Sequence, residues 1–266
     1  MFHHIFMQRA LLVGAVLALA LPCIGLMVVL RKQSLIGDAL SHNALAGVAT
    51  GLMLGFNPLV GAMMMSIVSA FSIEYFRKKM GRYSEMAIAV VLSSGIGLAS
   101  ILSDFVPAGS NFNSFLFGSI IAVSHSEAVL TVVICSLVIV LFKLLYQALF
   151  LLAYSPQQAR LTGVNVSLTE FAFILMTAIT VSLASRTVGA LVVTSFMIIP
   201  VACAMQLCNS FRSTLFTSIA LSETFVLSGL VASYKLGLKP GGTFVLLSVV
   251  CLLLITVGKR LFMNAQ

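Results

Sequence analysis

The sequence has very little charge: 8% of its 266 residues are Asp, Glu, Lys or Arg, whereas an ordinary soluble domain carries about a quarter. It has no tryptophan, six prolines, and seven acidic residues against fifteen basic ones. Hydrophobic residues make up 60% of the chain. This composition excludes a water-soluble globular protein and predicts an all-α membrane protein that crosses the bilayer several times. The apolar run that ends at Leu30 is long enough to span, so we expect a helix there rather than a cleaved signal peptide.

Three further absences exclude other classes of protein. There is no Gly-x-x-x-x-Gly-Lys-Ser/Thr loop, so the chain cannot hydrolyse ATP by that route. The net charge of +8 is not arranged as a basic stripe with interleaved aromatics, so we expect no nucleic-acid partner. No Cys-x-x-Cys motif occurs, and we interpret the cysteines as small membrane-packed residues. They are Cys23, Cys135, Cys203, Cys208 and Cys251.

Nine apolar segments are candidate transmembrane helices, each about 20 residues long as a bilayer requires. They are 8–30, 38–56, 59–79, 85–105, 127–151, 168–185, 188–208, 214–234 and 242–262. The pair 168–185 and 188–208 is the least cleanly separated, and a fused or re-entrant unit there would reduce the count to eight. We expect a single transmembrane domain, residues 1–266, with no soluble domain attached.

Basic residues in the connecting loops predict the orientation, because cytoplasmic loops are enriched in Lys and Arg. One alternate set of loops holds eleven of the fifteen: Arg31, Lys32, Arg77, Lys78, Lys79, Arg82, Lys143, Arg160, Arg212, Lys259 and Arg260. The other set holds four: Arg9, Arg186, Lys235 and Lys239. The N-terminus is therefore predicted to lie outside the cell and the C-terminus inside.

Two loops are long. The external loop, 106–126, is polar and then apolar again, and we expect it to fold partly back onto the membrane. In the internal loop, 152–168, Ser155 precedes Pro156, which is a typical helix start, and Gly163 is a plausible stop. The pattern fits a short cytoplasmic helix, and it also fits an ordinary amphipathic linker.

Asp38 and His42 stand out among the ionisable residues, because they are four apart at the start of an apolar segment. Residues at that spacing share a helix face, and Asp oxygen and His nitrogen are both ligands for zinc and manganese. A charge inside a span costs at least about 2.5 kcal/mol, so such residues usually line a pathway. The alternative is that Asp38 caps the helix while His42 makes an ordinary interhelical hydrogen bond.

The neighbouring stripe favours a pathway. Small residues recur every four positions, at Ala39, Asn43, Gly47, Gly51 and Gly55. Such spacing allows close helix approach in membranes. Asp38, His42, Ala46 and Thr50 then form a polar-to-small stripe beside this packing seam, and Asn43 and Thr50 are further pathway candidates.

Other ionisable residues fit capping, pairing or interfacial roles. Glu74, Glu85, Asp104, Glu127 and Glu170 lie near predicted span ends, where they can reach water or headgroups. Glu223 lies half-way along its span and is either a pathway residue or the partner of a neighbouring helix. Arg186, near an outer end, is expected to snorkel. His125 and Glu127, on the outside, are candidates for contact with metal or with a binding protein.

Several motifs together resemble one known family. "LRKQSLIGDALSHNALAGVATGLMLG" (30–55) is similar to the second-helix region of the membrane permeases of bacterial ABC transporters for zinc and manganese. The resemblance runs along nearly the whole chain through "SEMAIAVVLSSGIGLASIL" (84–102), "FLFGSIIAVS" (115–124), "VGALVVTSFMIIPVACA" (188–204) and "GLVASYKLGLKPGG" (229–242). Met86 and Ala89 stand where the family usually has an acid and a glycine. "AYSPQQARLTG" (153–163) resembles the family's cytoplasmic coupling helix, with Ser155 and Gln157 at positions that usually carry acids.

The resemblance implies a type II importer-like permease in a bacterial inner or plasma membrane, without an ATPase domain of its own. It implies a homodimer, two copies of a cytoplasmic ABC ATPase that uses the ATP, and an extracellular metal-binding lipoprotein or periplasmic protein. It further implies that Asp38 and His42 coordinate the transported metal. The residues that transmit ATPase closure would be Tyr154, Ser155, Pro156, Gln157, Ala159 and Gly163.

An Asp and a His give an incomplete metal shell, since a tight structural zinc site uses four protein ligands. Water or a second subunit would complete the shell, so we expect transient binding and no permanently bound cofactor. Asp plus His serves Zn²⁺ and Mn²⁺ alike, which leaves the metal open. Two other functions remain: a secondary metal transporter driven by an ion gradient, and an ABC permease for a metal chelate. The former would show inverted repeats, and the latter would not need Asp38 and His42 on one helix face.

Overall fold

The computed structural model describes residues 5–107, 112–118 and 124–264, and within these ranges the chain is helical with no β-strand. The helices are α1 (Ile5–Leu30), α2 (Ile36–Leu54), α3 (Pro58–Met80), α4 (Ser84–Ser103), α5 (Phe112–Phe117), α6 (His125–Leu144), α7 (Tyr146–Tyr154), α8 (Pro156–Leu161), α9 (Val166–Ala184), α10 (Val193–Leu207), α11 (Phe211–Leu236) and α12 (Pro240–Asn264). A 3₁₀ turn, Gly81–Tyr83, joins α3 to α4, and a π-helical turn, Ser185–Gly189, follows α9.

Each of the nine predicted segments coincides with a helix. The run 127–151 is divided at Leu145 into α6 and α7. The uncertain pair 168–185 and 188–208 forms two separate helices, α9 and α10. Among the described residues, seven helices are long and apolar enough to cross a membrane, namely α1, α3, α4, α6, α9, α11 and α12. Helix α2 is not among the seven, and α10 has only 15 residues.

Short polar side chains begin several helices. The Asn57 side chain accepts a hydrogen bond from the N–H of Leu59 at 2.9 Å, and Pro58 occupies the first turn of α3. Asn165 and Ser210 cap α9 and α11 in the same way. At the start of α6, Ser124 and Glu127 form a reciprocal capping box. These caps satisfy N–H groups that the first turn of a helix leaves without partners.

Helices α1 and α2 lie inside the bundle. Helix α1 packs against α6, α10 and α11, and α2 packs against α3, α4, α9 and α10. A Cβ atom at Gly47 would lie 2.2 Å from the carbonyl oxygen of Gly61, and one at Gly51 would lie 2.9 Å from Cα of Pro58. The backbones of α2 and α3 are therefore in direct contact, as the small-residue spacing predicts. Gly55 lies beyond the helix, at its left-handed C-cap.

The connection from α1 to α2 is short and tight. The N–H of Gln33 donates to the carbonyl of Val28 at 2.9 Å, which closes the end of α1. Lys32 has φ +55°, and no other described residue except glycine has a positive φ. A left-handed residue at this position is a common way to end a helix, although glycine usually occupies it. The turn places Asp38 in the first turn of α2.

The predicted external loop 106–126 is described only in part, because residues 108–111 and 119–123 lie outside the described ranges. Its middle forms the short helix α5. The N–H of Ala190 donates to the carbonyl of Phe115 at 3.1 Å, and that of Leu191 donates to Leu116 at 3.3 Å. This loop is therefore bonded to the segment that connects α9 to α10.

Candidate functional site

Between Ile36 and Gly51, one line of residues on α2 is accessible while the other residues of that stretch are enclosed. From Ile36 to Gly51, every residue is buried except Asp38, His42 and Thr50. These three lie four and eight residues apart, so they share one face of the helix. Ala46, between His42 and Thr50 on that face, is fully buried, and its carbonyl accepts the hydroxyl of Thr50 at 2.8 Å. Of the four residues in the predicted stripe, the polar ones (Asp38, His42 and Thr50) are therefore accessible and Ala46 is not.

The carboxylate of Asp38 is bound across the bundle rather than to its own helix. Its Oδ1 accepts a hydrogen bond from Oγ1 of Thr194, in the first turn of α10. Leu35 is the N-cap residue of α2 and makes no side-chain cap. The alternative in which Asp38 caps the helix is therefore not the observed arrangement.

His42 lies one turn beyond Asp38 and is partly exposed. Its ring makes no hydrogen bond with any residue that the structure describes, so the alternative of an ordinary interhelical hydrogen bond is not seen there. Neither ring nitrogen has a hydrogen-bond partner among the described residues, and a neutral imidazole nitrogen is a common metal ligand. Within the described ranges, no group of three or more His, Cys, Asp and Glu side chains could hold a metal ion. Among the described residues of one copy, the Asp38–His42 pair is thus not joined by a third potential ligand.

Asn43 faces away from this pair. Its side-chain nitrogen donates to the carbonyl of Ala39 at 2.8 Å and to that of Val91 in α4 at 2.9 Å. The side chain packs against Gly95, where a Cβ atom would lie 2.4 Å from the amide nitrogen. Asn43 is 2% exposed and links α2 to α4.

Glu223 lies on α11, which makes its main contacts with helices other than α2. Helix α11 packs against α1, α10 and α12. Glu223 is half-buried and forms no cluster of potential ligands with Asp38 and His42 among the described residues. The structure does not bring this predicted pathway residue together with the pair.

A second predicted feature, the short helix after α7, is present as α8. Oγ of Ser155 accepts the N–H of Gln158 at 3.4 Å, Pro156 occupies the first turn, and Gly163 has φ +80° just beyond the end. Ala159 is fully buried in a small apolar cluster with Leu152 and Val166. The remaining surface is open: Tyr154 is 76% and Leu161 is 87% exposed, and Gln157 is exposed as well.

Ion pairs occupy both ends of the bundle. At the end that carries α8, Arg31 in the α1–α2 connection bonds Glu170 of α9 at 2.5 Å, and Arg77 bonds Glu74 at 3.0 Å. The amide oxygen of Gln33, turned toward Arg77, accepts from its guanidinium at 2.8 Å. Pairing was one of the roles predicted for Glu74 and Glu170. The pattern did not identify Arg31 as a partner, because Arg31 and Glu170 are 139 residues apart.

At the opposite end, Nε of Arg186 lies 3.1 Å from Oε1 of Glu127, and its guanidinium stacks over the ring of Phe115 at 4.4 Å. Arg186 is therefore ion-paired with Glu127, a contact that the sequence did not predict, and snorkelling of Arg186 stays a prediction. Glu127 also accepts the N–H of Ser124 at 3.0 Å. Its carboxylate is occupied by capping and pairing, while His125 is exposed.

Comparisons with known proteins identify the family of this chain. The model of a family described as ABC 3 transport family matches residues 3–259. The "Manganese transport system membrane protein MntC" of Listeria monocytogenes is 32% identical over 246 residues, which is 92% of this chain and 88% of that protein. The "High-affinity zinc uptake system membrane protein ZnuB" of Haemophilus influenzae is 30% identical and covers 84% and 86% of the two chains. The solved structure "PsaBC from Streptococcus pneumoniae in complex with Fab" superposes with a TM-score of 0.85 at 26% identity, covering 96% of this chain and 92% of that one.

Proposed function

The chain belongs to the ABC 3 transport family, and from this membership we propose that it is the membrane permease of an ATP-driven importer for a divalent transition-metal ion. The observation that carries the proposal is the accessible face of α2. In the stretch of α2 from Ile36 to Gly51, which is otherwise buried, the partly exposed positions include Asp38 and His42, the two residues able to bind such an ion. Relatives that import manganese and zinc are both similar to this chain, so the cargo is Zn²⁺ or Mn²⁺.

Asp38 and His42 bind the ion transiently. A carboxylate oxygen offsets part of the ion's charge, and a neutral imidazole supplies a nitrogen donor. Two ligands leave the coordination shell incomplete, so water or the same pair from a second copy completes it. We propose a homodimer in which the two pairs face each other. A shell that depends on two subunits loosens when the subunits move apart, which allows the ion to be released.

Energy enters from a partner, because the sequence contains no phosphate-binding loop. We propose that a cytoplasmic ABC ATPase docks on α8, with Tyr154, Ser155, Pro156, Gln157, Ala159 and Gly163 at or beside the contact. Two features support this docking: the cap and proline that form the helix, and the apolar surface of Tyr154 and Leu161. Ala159 is buried against Val166 of α9, which attaches α8 to the bundle. A displacement of α8 by the ATPase is therefore transmitted to α9.

The proposed topology follows from the position of α8. With α8 in the cytoplasm, nine helices (α1 to α4, α6, α9, α10, α11 and α12) cross a bacterial plasma or inner membrane, with the N-terminus outside. The basic residues of the α1–α2 connection, of the last turn of α3 and of α8 then lie on the cytoplasmic side, in agreement with the positive-inside rule. An external metal-binding protein would deliver the ion at the side that holds α5.

Replacement of the two ligands tests the function. Asp38→Ala and His42→Ala should each lower uptake of ⁶⁵Zn²⁺ or ⁵⁴Mn²⁺ at least about 10–100-fold, the loss that even an outer partner of a metal ligand causes. Uptake is measured in cells that lack their own importers and that produce the whole transporter. Asp104→Ala replaces the same residue type as Asp38 at an exposed position and should transport normally. Normal uptake by both ligand variants, at wild-type protein levels, would refute the assignment.

A further inference from the structure

Thr194 makes the one side-chain hydrogen bond that the Asp38 carboxylate has with the described residues. Thr194 is the second residue of α10, and its Oγ1 donates to Oδ1 of Asp38 across 156 positions of sequence. The second carboxylate oxygen, Oδ2, has no protein partner among these residues. A hydroxyl that holds one oxygen restricts rotation of the carboxylate and leaves the other oxygen as the donor to a cation.

The contact depends on a close approach of three helices. A Cβ atom at Gly37, next to Asp38, would lie 3.0 Å from Oγ1 of Thr194 and 2.9 Å from Cε of Met197. A Cβ atom at Gly25 in α1 would lie 2.1 Å from the carbonyl oxygen of Met197. The beginning of α10 is therefore packed directly on α1 and α2. This packing sets the distance from Thr194 to Asp38 independently of any ion.

The start of α10 also suits a carboxylate. The π-helical turn Ser185–Gly189 and residues 190–192 separate α10 from α9, so α10 has its own N-terminus. The first N–H groups of a helix lack intrahelical acceptors and carry a partial positive charge. A carboxylate held at this end by a hydroxyl is already oriented before a cation arrives.

We infer that Thr194 is a positioning residue for metal transport: it holds the Asp38 carboxylate so that a single oxygen is presented to the ion. This inference rests on the proposed function, since it assigns Thr194 a role only if Asp38 binds the cargo. Thr194 does not need to touch the ion. Its loss should weaken metal capture more than it changes the maximal rate of transport, because the ligand pair itself is retained.

Three threonine variants separate positioning from a structural role. Thr194→Val keeps the side-chain shape and removes the hydroxyl, and it should raise the metal concentration for half-maximal uptake about tenfold, as expected for loss of a hydrogen bond to a charged group. Thr194→Ser retains the hydroxyl and should restore half-saturation to within about twofold of wild type. Thr131→Val is the control, because Thr131 is buried in α6 and its hydroxyl bonds the carbonyl of Glu127 in its own helix.

The measurements are initial uptake rates of ⁶⁵Zn²⁺ and ⁵⁴Mn²⁺ over a range of concentrations, with the amount of permease in the membrane determined for each variant. The positioning role is overturned if Thr194→Val leaves the metal concentration for half-maximal uptake unchanged. It is also overturned if Thr194→Ser raises that concentration as much as Thr194→Val does. A lower maximal rate with unchanged half-saturation also overturns it, since that result reports a structural defect. Asp38→Ala is included in the same series. If Asp38→Ala takes up metal normally, the proposed function has failed rather than the role of Thr194 alone.

Discussion

Replacement of Glu170 by glutamine should destabilise the protein, because Glu170 neutralises a guanidinium that has almost no access to solvent. Nη2 of Arg31 lies 2.5 Å from Oε1 of Glu170, and 8% and 15% of the two side chains are exposed. Nη1 of Arg31 is buried and has no hydrogen-bond partner among the described residues. The Glu170→Gln variant therefore leaves a buried cation beside a neutral amide.

The size of the effect follows from this burial. Removal of one partner of a buried ion pair costs about 3–5 kcal/mol, and the small exposed fraction of Glu170 allows some screening by water. Arg77, which interacts electrostatically with both Arg31 and Glu170, adds repulsion once the acid is neutral. We expect the free energy of unfolding to fall by about 2–4 kcal/mol. Asp104→Asn, an exposed acid at the end of α4, should change it by less than about 0.5 kcal/mol.

A double variant separates the pair from its surroundings. Arg31→Met combined with Glu170→Leu removes both charges and fills the space with apolar atoms, which is often neutral for buried ion pairs. The double variant should therefore be more stable than the sum of the single changes predicts, by about 2 kcal/mol. Unfolding is followed by circular dichroism during SDS titration in detergent micelles. The reasoning is refuted if Glu170→Gln behaves like Asp104→Asn, or if the single effects simply add.

Two further predictions concern the helix seam and the cysteine between α10 and α11. Gly47→Ala should cost about 2–3 kcal/mol of unfolding free energy, because its Cβ would lie 2.2 Å from the Gly61 carbonyl oxygen. Gly97→Ala, with no atom within 4 Å of the new Cβ, should be neutral or slightly stabilising, and equal losses in both would contradict the close approach. Side-chain hydrogen bonds from Ser213 and then Thr217 lower the pKa of the Cys208 thiol from its ordinary 9.0. Because the thiolate is the form that reacts, the rate of Cys208 alkylation by iodoacetamide should reach half its maximum below pH 9.0. The rate is measured by mass spectrometry. Ser213→Ala should move the midpoint upward, and an unmoved midpoint would exclude this cause.

The helices could be predicted because an apolar run of about 20 residues is long enough to cross a bilayer as a helix. The boundary between α9 and α10 illustrates the limit of this signal. A break at residues 186–187 was expected, but the π-helical turn that occupies it is stabilised by hydrogen bonds from Ala190 and Leu191 to the distant α5. Periodicity describes one helix at a time and carries no information about such contacts.

In the candidate site, too, patterns along one helix could be predicted and contacts between helices could not. The spacing of Asp38 and His42 predicts a shared face, and the glycines predict close packing on another side of α2. The sequence does not identify Thr194, because no pattern near position 194 indicates a contact with Asp38. The sequence makes Asn43 a pathway candidate, whereas in the structure its amide bonds the carbonyl of Val91 in α4. A polar side chain in a span either lines a pathway or forms hydrogen bonds with a neighbouring helix, and the tertiary contacts decide which of the two it does.

The single accessible line along α2 also limits how the length of this helix can change in evolution. One inserted residue turns everything beyond it by about 100° around the helix axis. An insertion between His42 and Gly47 would rotate the ligand pair relative to the glycine contact with Gly61, so that either the seam or the site would face the wrong neighbour. The number of residues between the pair and the seam is therefore under the same selection as the ligands, although none of those residues needs a particular side chain to bind metal.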